Sequence, residues 1–160
     1  MIEDRRFVVY ADGAARGNPG PAGAGAVLLD ERGNVVAELS RGLGRATNNV
    51  AEYNALILGL EEARRRGATA VDVRLDSKLV VEQMRGVWRI RHPGLKDLAI
   101  RAGALLASFP EHRIRHVPRA ENAHADALAN RAVDESNGQA KGARRSAPGG
   151  PYPRPSDPPP

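Results

Sequence analysis

The stretch Ala70-Val71-Asp72-Val73-Arg74-Leu75-Asp76-Ser77-Lys78-Leu79-Val80-Val81-Glu82-Gln83-Met84 decides the fold. Ala70 to Leu75 reads as a strand, and a helix from Ser77 to Met84 follows it at once. A strand that passes straight into a helix reads as part of a crossover, and such crossovers pair strands in parallel with right-handed connections. The pattern repeats downstream. Pro93-Gly94 breaks the chain, a helix runs from Leu95 to Ser108, Pro110 ends it, His112 to Val117 is a strand, and Ala120 to Val133 is the last helix.

Upstream the pattern is different. Arg6 to Ala11 is a short apolar run and reads as a buried strand. Gly13 to Gly25 reads as a glycine-rich loop around Gly17-Asn18-Pro19-Gly20. Strands are expected at Ala24 to Asp30 and Val35 to Arg41, joined by the turn Glu31-Arg32-Gly33-Asn34. These three strands make an antiparallel meander. Asn49 reads as an N-cap with Glu52 three residues on, as in a capping box, opening a helix from Val50 to Arg66 that Gly67 ends. The expected fold is α/β: a five-stranded mixed sheet, three antiparallel strands then two parallel, flanked by helices.

With 160 residues, 27% of them charged, one globular domain is the natural reading. Composition shifts at Asn137 to Gly, Pro, Ser, Lys and Arg, so residues 1–136 are taken as the domain and 137–160 as a disordered Gly/Pro/Arg-rich tail. Cysteine is absent, which excludes disulfides, thiolate zinc sites and thiol nucleophiles, and fits a reducing compartment. No run is long enough to span a membrane, and the N-terminus carries no apolar stretch like that of a signal peptide. The expected setting is the cytoplasm, and the default state a monomer. The net charge of +5 agrees with a polyanionic partner, although arginine-rich composition also has bland origins.

Asp12, Glu52, Asp76 and Asp126 are the candidate chemistry. Each has a plain alternative: a turn for Asp12-Gly13, a capping box for Glu52, a helix cap for Asp76, a solvent-facing helix position for Asp126. Their placement argues for a joint role. Asp12 and Asp76 fall at the carboxyl ends of strands expected to be parallel, where sites in α/β sheets gather. Glu52 lies in the first turn of a helix that must pack on that sheet, and Asp126 near the start of the helix after the fifth strand. Four such acids would repel one another unless a cation neutralised them. Mg²⁺ suits an all-oxygen set, and two ions about 3.5–4 Å apart can activate water and stabilise a leaving oxygen.

Tyr10-Ala11-Asp12-Gly13, Gly17-Asn18-Pro19-Gly20, Thr47-Asn48-Asn49-Val50-Ala51-Glu52, Asp76-Ser77 and Glu121-Asn122 through Asp126 occur in an order that resembles ribonuclease H type 1. The likeness spans about Arg6 to Asp134. Asp76-Ser77-Lys78-Leu79-Val80-Val81-Glu82-Gln83-Met84 and Val117-Pro118-Arg119 resemble its compact branch, which lacks a basic protrusion and includes the ribonuclease H domain of bifunctional ribonuclease H/acid phosphatase proteins. The resemblance implies endonucleolytic hydrolysis of the RNA strand of RNA–DNA hybrids, leaving 3′-hydroxyl and 5′-phosphate ends. It implies Asp12, Glu52, Asp76 and Asp126 as catalytic metal ligands for two Mg²⁺ ions, with Mn²⁺ able to substitute. Asp12 would bridge the ions, Glu52 and Asp76 would complete one of them, and Asp126 would hold the more labile one. Asn18, Asn48 and Asn49 match positions that read the hybrid's minor groove, where an amide can both donate to and accept from a 2′-hydroxyl. Thr47 matches part of a pocket for a DNA-strand phosphate. Asn18-Pro19-Gly20 also makes a good turn.

Two departures from the family pattern stand out. Only Arg85 to Gly94 separates the helices where some members carry a long basic insertion, leaving Trp88, Arg89, Arg91 and His92 to touch a DNA backbone or, for Trp88, to pin the loop on the core. Hybrid affinity is expected to be weaker than in insertion-bearing relatives, with a strong salt dependence. The loop after the fifth strand offers Arg119 where many members place a histidine, and His124 reads as an ordinary surface residue within the helix. A nuclease of the same fold acting on another substrate, and an inactive nucleic-acid binder, are the competing readings.

Overall fold

The computed structural model describes residues 4–136; the expected tail, 137–160, lies outside the described residues. Among the described residues the chain forms strands β1 (Arg6–Ala15), β2 (Gly20–Leu29) and β3 (Val35–Ala46), helix α1 (Asn48–Arg65), strand β4 (Ala70–Leu75), helices α2 (Lys78–Met84) and α3 (Pro93–Ala107), strand β5 (Glu111–His116), a 3-10 turn (Arg119–Asn122) and helix α4 (Ala123–Ser136). One sheet has the order β3-β2-β1-β4-β5. β1 pairs antiparallel with β2 and parallel with β4, and β4 pairs parallel with β5. This is the mixed sheet that the sequence predicts.

Alternation sorts the two faces. Val9, Ala11, Val73 and Leu75 point into the main core with Tyr53, Leu56 and Leu60 of α1. Burial of side chains this size contributes roughly 1.5–3 kcal/mol each. α1 also packs on α3, while α4 lies on β2, β3 and β1. The Tyr53 hydroxyl, fully buried, donates to Gln83 Oε1 at 2.7 Å and so ties α1 to α2.

The glycine-rich stretch departs from expectation. It is not a loop: β1 and β2 stay in register as far as Ala15↔Ala22, leaving only a tight connection at 16–19. Its glycines serve close packing. A Cβ on Gly23 would sit 2.5 Å from the Ala129 carbonyl oxygen, and one on Gly25 2.4 Å from that of Ala125, both in α4. Glycine in a strand often marks such close backbone approach. Pro93 and Gly94, expected to break the chain, instead open α3, with His92 Nδ1 accepting from the Gly94 amide at 3.1 Å. Proline is tolerated there because the first helical amides have no intrahelical partner.

Candidate active site

The expected placement of Asp12 at a strand end is corrected by the structure: it lies within β1, which runs on to Ala15. The parallel pairing with β4, however, ends at Ala11↔Leu75. Asp12 and Asp76 are therefore the first residues beyond the shared ladder, side by side. Glu52 comes from α1, brought close because Gly13 has no side chain. A Cβ there would lie 2.3 Å from the Ala51 carbonyl carbon and 2.4 Å from the Glu52 amide nitrogen. Carboxylate oxygens of Asp12, Glu52 and Asp76 all lie within 4.8 Å of one another. Asp126, in the first turn of α4, neighbours Asp12 but stands outside that group of three, and is steadied by Asn130 Nδ2 at 3.3 Å. Asp12 faces Gly25 across the β1–β2 ladder, so the glycine that admits α4 also admits Asp126.

The plain alternatives for these acids do not survive. Thr47, not Asn49, caps α1, its hydroxyl accepting from the Val50 amide at 3.2 Å. Glu52 thus falls outside a capping box. Ser77 caps α2, accepting from the Val80 amide at 3.3 Å, so Asp76 is not needed as a cap. Asp12 is in no turn, and Asp126 is half-buried.

Asp12 and Glu52 are each only 4% exposed, which burial of an ionised carboxylate does not favour. Burial first, and then the Glu52 charge, push the Asp12 carboxyl far above the usual range. Burial raises Glu52 as well, and the Asp76 charge adds to this, while the hydrogen bond with Asp12, the Gly13 amide and the charge of Arg119 oppose the rise. Glu52 Oε2 is buried with no hydrogen-bond partner. A buried, mutually repelling, all-oxygen donor set with an orphaned oxygen fits a hard divalent cation.

Around this cluster stand the expected substrate-reading residues. Asn18 Oδ1 accepts from the Asn48 backbone amide at 3.1 Å, tying the β1–β2 connection to the first turn of α1. Asn18, Asn48 and Asn49 are exposed and Thr47 half-buried, all at the same end of the sheet as the acids. Trp88 is 42% exposed with Lys78 Nζ 5.9 Å from its ring centroid. His124 is not the ordinary surface residue expected. Its side chain is 15% exposed, with Nε2 3.1 Å from Glu38 Oε2. Asn122 belongs to the motif Glu121-Asn122 through Asp126, which assigns it no role of its own. Fully buried, it donates from Nδ2 to the Ala11 carbonyl at 2.8 Å and so fastens the approach to α4 beside Asp12. A polar residue just ahead of a helix gave no warning of that reach.

No described helix is long and apolar enough to cross a membrane. Residues 10–132 match a family model described as reverse transcriptase-like. The chain is 52% identical over 130 residues to a bifunctional protein of Mycobacterium tuberculosis, covering 81% of this chain but only 36% of that protein's length. It is 50% identical over 131 residues to ribonuclease HI of Halobacterium salinarum, covering 82% of this chain and 66% of that protein. Among solved structures, the N-terminal RNase H domain of the mycobacterial protein superposes with a TM-score of 0.82 at 50% identity, covering 86% of this chain and 99% of that one. LC11-RNase H1 in complex with an RNA/DNA hybrid superposes with a TM-score of 0.78 at 43% identity, covering 82% and 99%. By these likenesses the chain belongs to the type 1 ribonuclease H family.

Proposed function

We propose that this chain is an endonuclease that hydrolyses the RNA strand of RNA–DNA hybrids, leaving 3′-hydroxyl and 5′-phosphate ends. The observation that carries the reading is the convergence of Asp12, Glu52 and Asp76 within 4.8 Å, with Asp126 as a neighbour of Asp12. Membership of the family, and the relative solved with an RNA/DNA hybrid, support the substrate class.

In this reading Asp12, Glu52, Asp76 and Asp126 hold two Mg²⁺ ions, for which Mn²⁺ can substitute. Such ions, when bound, lower the pKa of a water and neutralise charge on the leaving oxygen. The protein's own groups do the rest. The Gly13 amide anchors Glu52, and Asn122 holds the Ala11 carbonyl, so the carboxylates stand in place before substrate arrives. Asn18, Asn48 and Asn49 offer amides to the 2′-hydroxyl, which both donates and accepts. Thr47 spends an oxygen lone pair on the Val50 amide and keeps its hydroxyl hydrogen for a phosphate of the DNA strand. The absence of cysteine suits a reducing compartment, and the enzyme is read as a cytoplasmic monomer.

The test is a labelled RNA–DNA hybrid, double-stranded DNA and double-stranded RNA, each with Mg²⁺, Mn²⁺ or EDTA, and Asp12→Asn as the control. Cleavage confined to the RNA strand of the hybrid, requiring metal and lost in Asp12→Asn, is expected. Metal-independent cleavage, or cutting of a DNA strand, would sink the reading.

A further inference from the structure

α4 lies on β3, β2 and β1, and the continuation of that sheet face across β4 and β5 carries arginine. Residues paired in register point the same way, so Tyr10, Arg74 and Arg115 share this face, as do Val8, Asp72 and Arg113. Asp12, two residues after Tyr10, is on it too. Three guanidinium groups gather on one carboxylate. Arg115 Nη2 and Arg74 Nη2 lie 3.0 and 3.1 Å from Asp72 Oδ2, and Arg113 Nε lies 3.7 Å from Asp72 Oδ1. Arg74 also donates to the Tyr10 hydroxyl at 2.7 Å and lies over its ring.

One carboxylate balances one of these cations and leaves two in excess. Farther along the face Arg6 pairs with both Asp4 and Glu111, and neither acid is in contact with the three arginines on Asp72. The Nε atoms of Arg74 and Arg115 are buried without an acceptor. A groove of about 560 Å³ beside β5 adds Arg85 and His112 to Arg113 and Arg115. An edge strand can carry charge simply to discourage pairing with other chains. That accounts for neither Arg74, on an inner strand, nor three arginines gathered on one inward-held aspartate. The cluster is open and spread along the strands, so it suits a polyanion rather than a single enclosed anion. At about 3.3 Å per residue, Arg74 lies roughly 7 Å from the carboxylates and Arg113 farther along the same line.

We propose that Arg74, Arg113 and Arg115 form a track for the phosphate backbone of the nucleic acid as it runs past the cleavage site. This rests on the nuclease reading above and adds a contact region on the β4–β5 side of the site. The arginines position substrate and take no part in the chemistry. Their loss acts on KM and leaves kcat in place.

The experiment is a salt titration of hybrid binding, read by fluorescence anisotropy in an Asp12→Asn background so that nothing is cut. Arg113→Ser with Arg115→Ser is compared with a charge-matched control off β4 and β5, Arg32→Ser after β2 with Arg64→Ser in α1, and with Arg113→Lys plus Arg115→Lys. The slope of log affinity against log salt is expected to shrink by about one per arginine removed. The lysine pair should keep the slope, and the control pair should leave it unchanged. Cleavage by the serine pair in the native background should show raised KM at unchanged kcat. Equal slopes for the serine and control pairs, with the wild type cutting hybrid normally, would overturn the track alone. If the wild type cuts no hybrid, the nuclease reading falls, and the same titration with hybrid still decides the track. Competition by polyglutamate with no binding of hybrid would assign the patch to an acidic protein and refute the proposal.

Discussion

Gly25→Ala isolates the contact that seats α4, and with it Asp126, on the sheet. The backbone at this position is open to alanine, so the effect is steric. The added Cβ would lie 2.4 Å from the Ala125 carbonyl oxygen, 2.6 Å from the Ala129 amide nitrogen and 2.7 Å from Leu128 Cβ. None of these is the yielding end of a flexible side chain. Reaching ordinary van der Waals contact requires α4 to lift by about 1 Å, and overpacking of this kind costs about 1–3 kcal/mol. Asp126 follows Ala125 directly and would lift with it from Asp12. A displacement of about 1 Å at a reacting centre can cost on the order of 10²-fold in rate. Thermal unfolding should show a Tm lower by several degrees, and cleavage of a labelled hybrid well below that Tm should show kcat down by about two orders of magnitude. Gly103→Ala in α3 is the counterpart. Its Cβ would meet nothing closer than Met84 Cε at 3.8 Å, and alanine should stabilise the helix by roughly 0.5–1 kcal/mol with activity unchanged. A Gly25→Ala protein with native Tm and native turnover would refute the packing argument. A lowered Tm with full kcat would refute its catalytic half.

Three further outcomes follow from the same geometry. Raised carboxyls at Asp12 and Glu52 contribute stability that is present below the ordinary carboxylate range and lost as pH rises through their raised values. Metal-free wild type should therefore weaken as pH climbs from acid to neutral, while Asp12→Asn in EDTA stays more stable at neutral pH; saturating Mg²⁺ should narrow or reverse that order, and superimposed urea curves would count against it. Thr47→Ala should cost about 1 kcal/mol through loss of the cap, whereas Asn49→Ala should leave stability alone and raise KM for hybrid; the reverse pattern would restore Asn49 as the cap. Burial holds His124 below its ordinary value of 6.5, so the stability it contributes is present above that value and lost as pH falls through the depressed one. His124→Gln should flatten the acid limb of a Tm-against-pH profile, and an unchanged profile would remove His124 from the account.

The fold was legible wherever hydrophobic runs were bounded by ordinary punctuation. β4 matches its expected bounds, Ala70 to Leu75, and β5 is displaced by one residue. Prediction went astray where one residue type serves two physical purposes. The stretch Gly13 to Gly25 reads as a glycine-rich loop, yet Gly13, Gly23 and Gly25 lie in paired strands and admit helix backbone. A single sequence does not distinguish a glycine chosen for its conformational freedom from one chosen for its missing side chain. For a related reason, Asn49 does not cap α1. It is as good a cap as Thr47, and which of the two caps α1 depends on where β3 ends, at Ala46.

The identity of the caps bears on the site. Each acid began with a local task that would have explained it: a turn, a cap, a capping box, a solvated helix face. The structure gives those tasks to neighbours. Thr47 and Ser77 supply the caps, and the connection at 16–19 supplies the turn. What remains for Asp12, Glu52 and Asp76 is proximity in a buried place, which raises the free energy of the metal-free fold, since burial and like charge both oppose ionisation. The surrounding design makes that proximity harder to avoid: Gly13 lets α1 in, Gly25 lets α4 in, and Asn122 pins the strand between them. Close contacts that crowd carboxylates together leave a repulsion that a bound cation would offset. If the Arg74–Arg113–Arg115 face does hold a phosphate backbone, its positive charge offsets the repulsion that the nearby acids would exert on a polyanion.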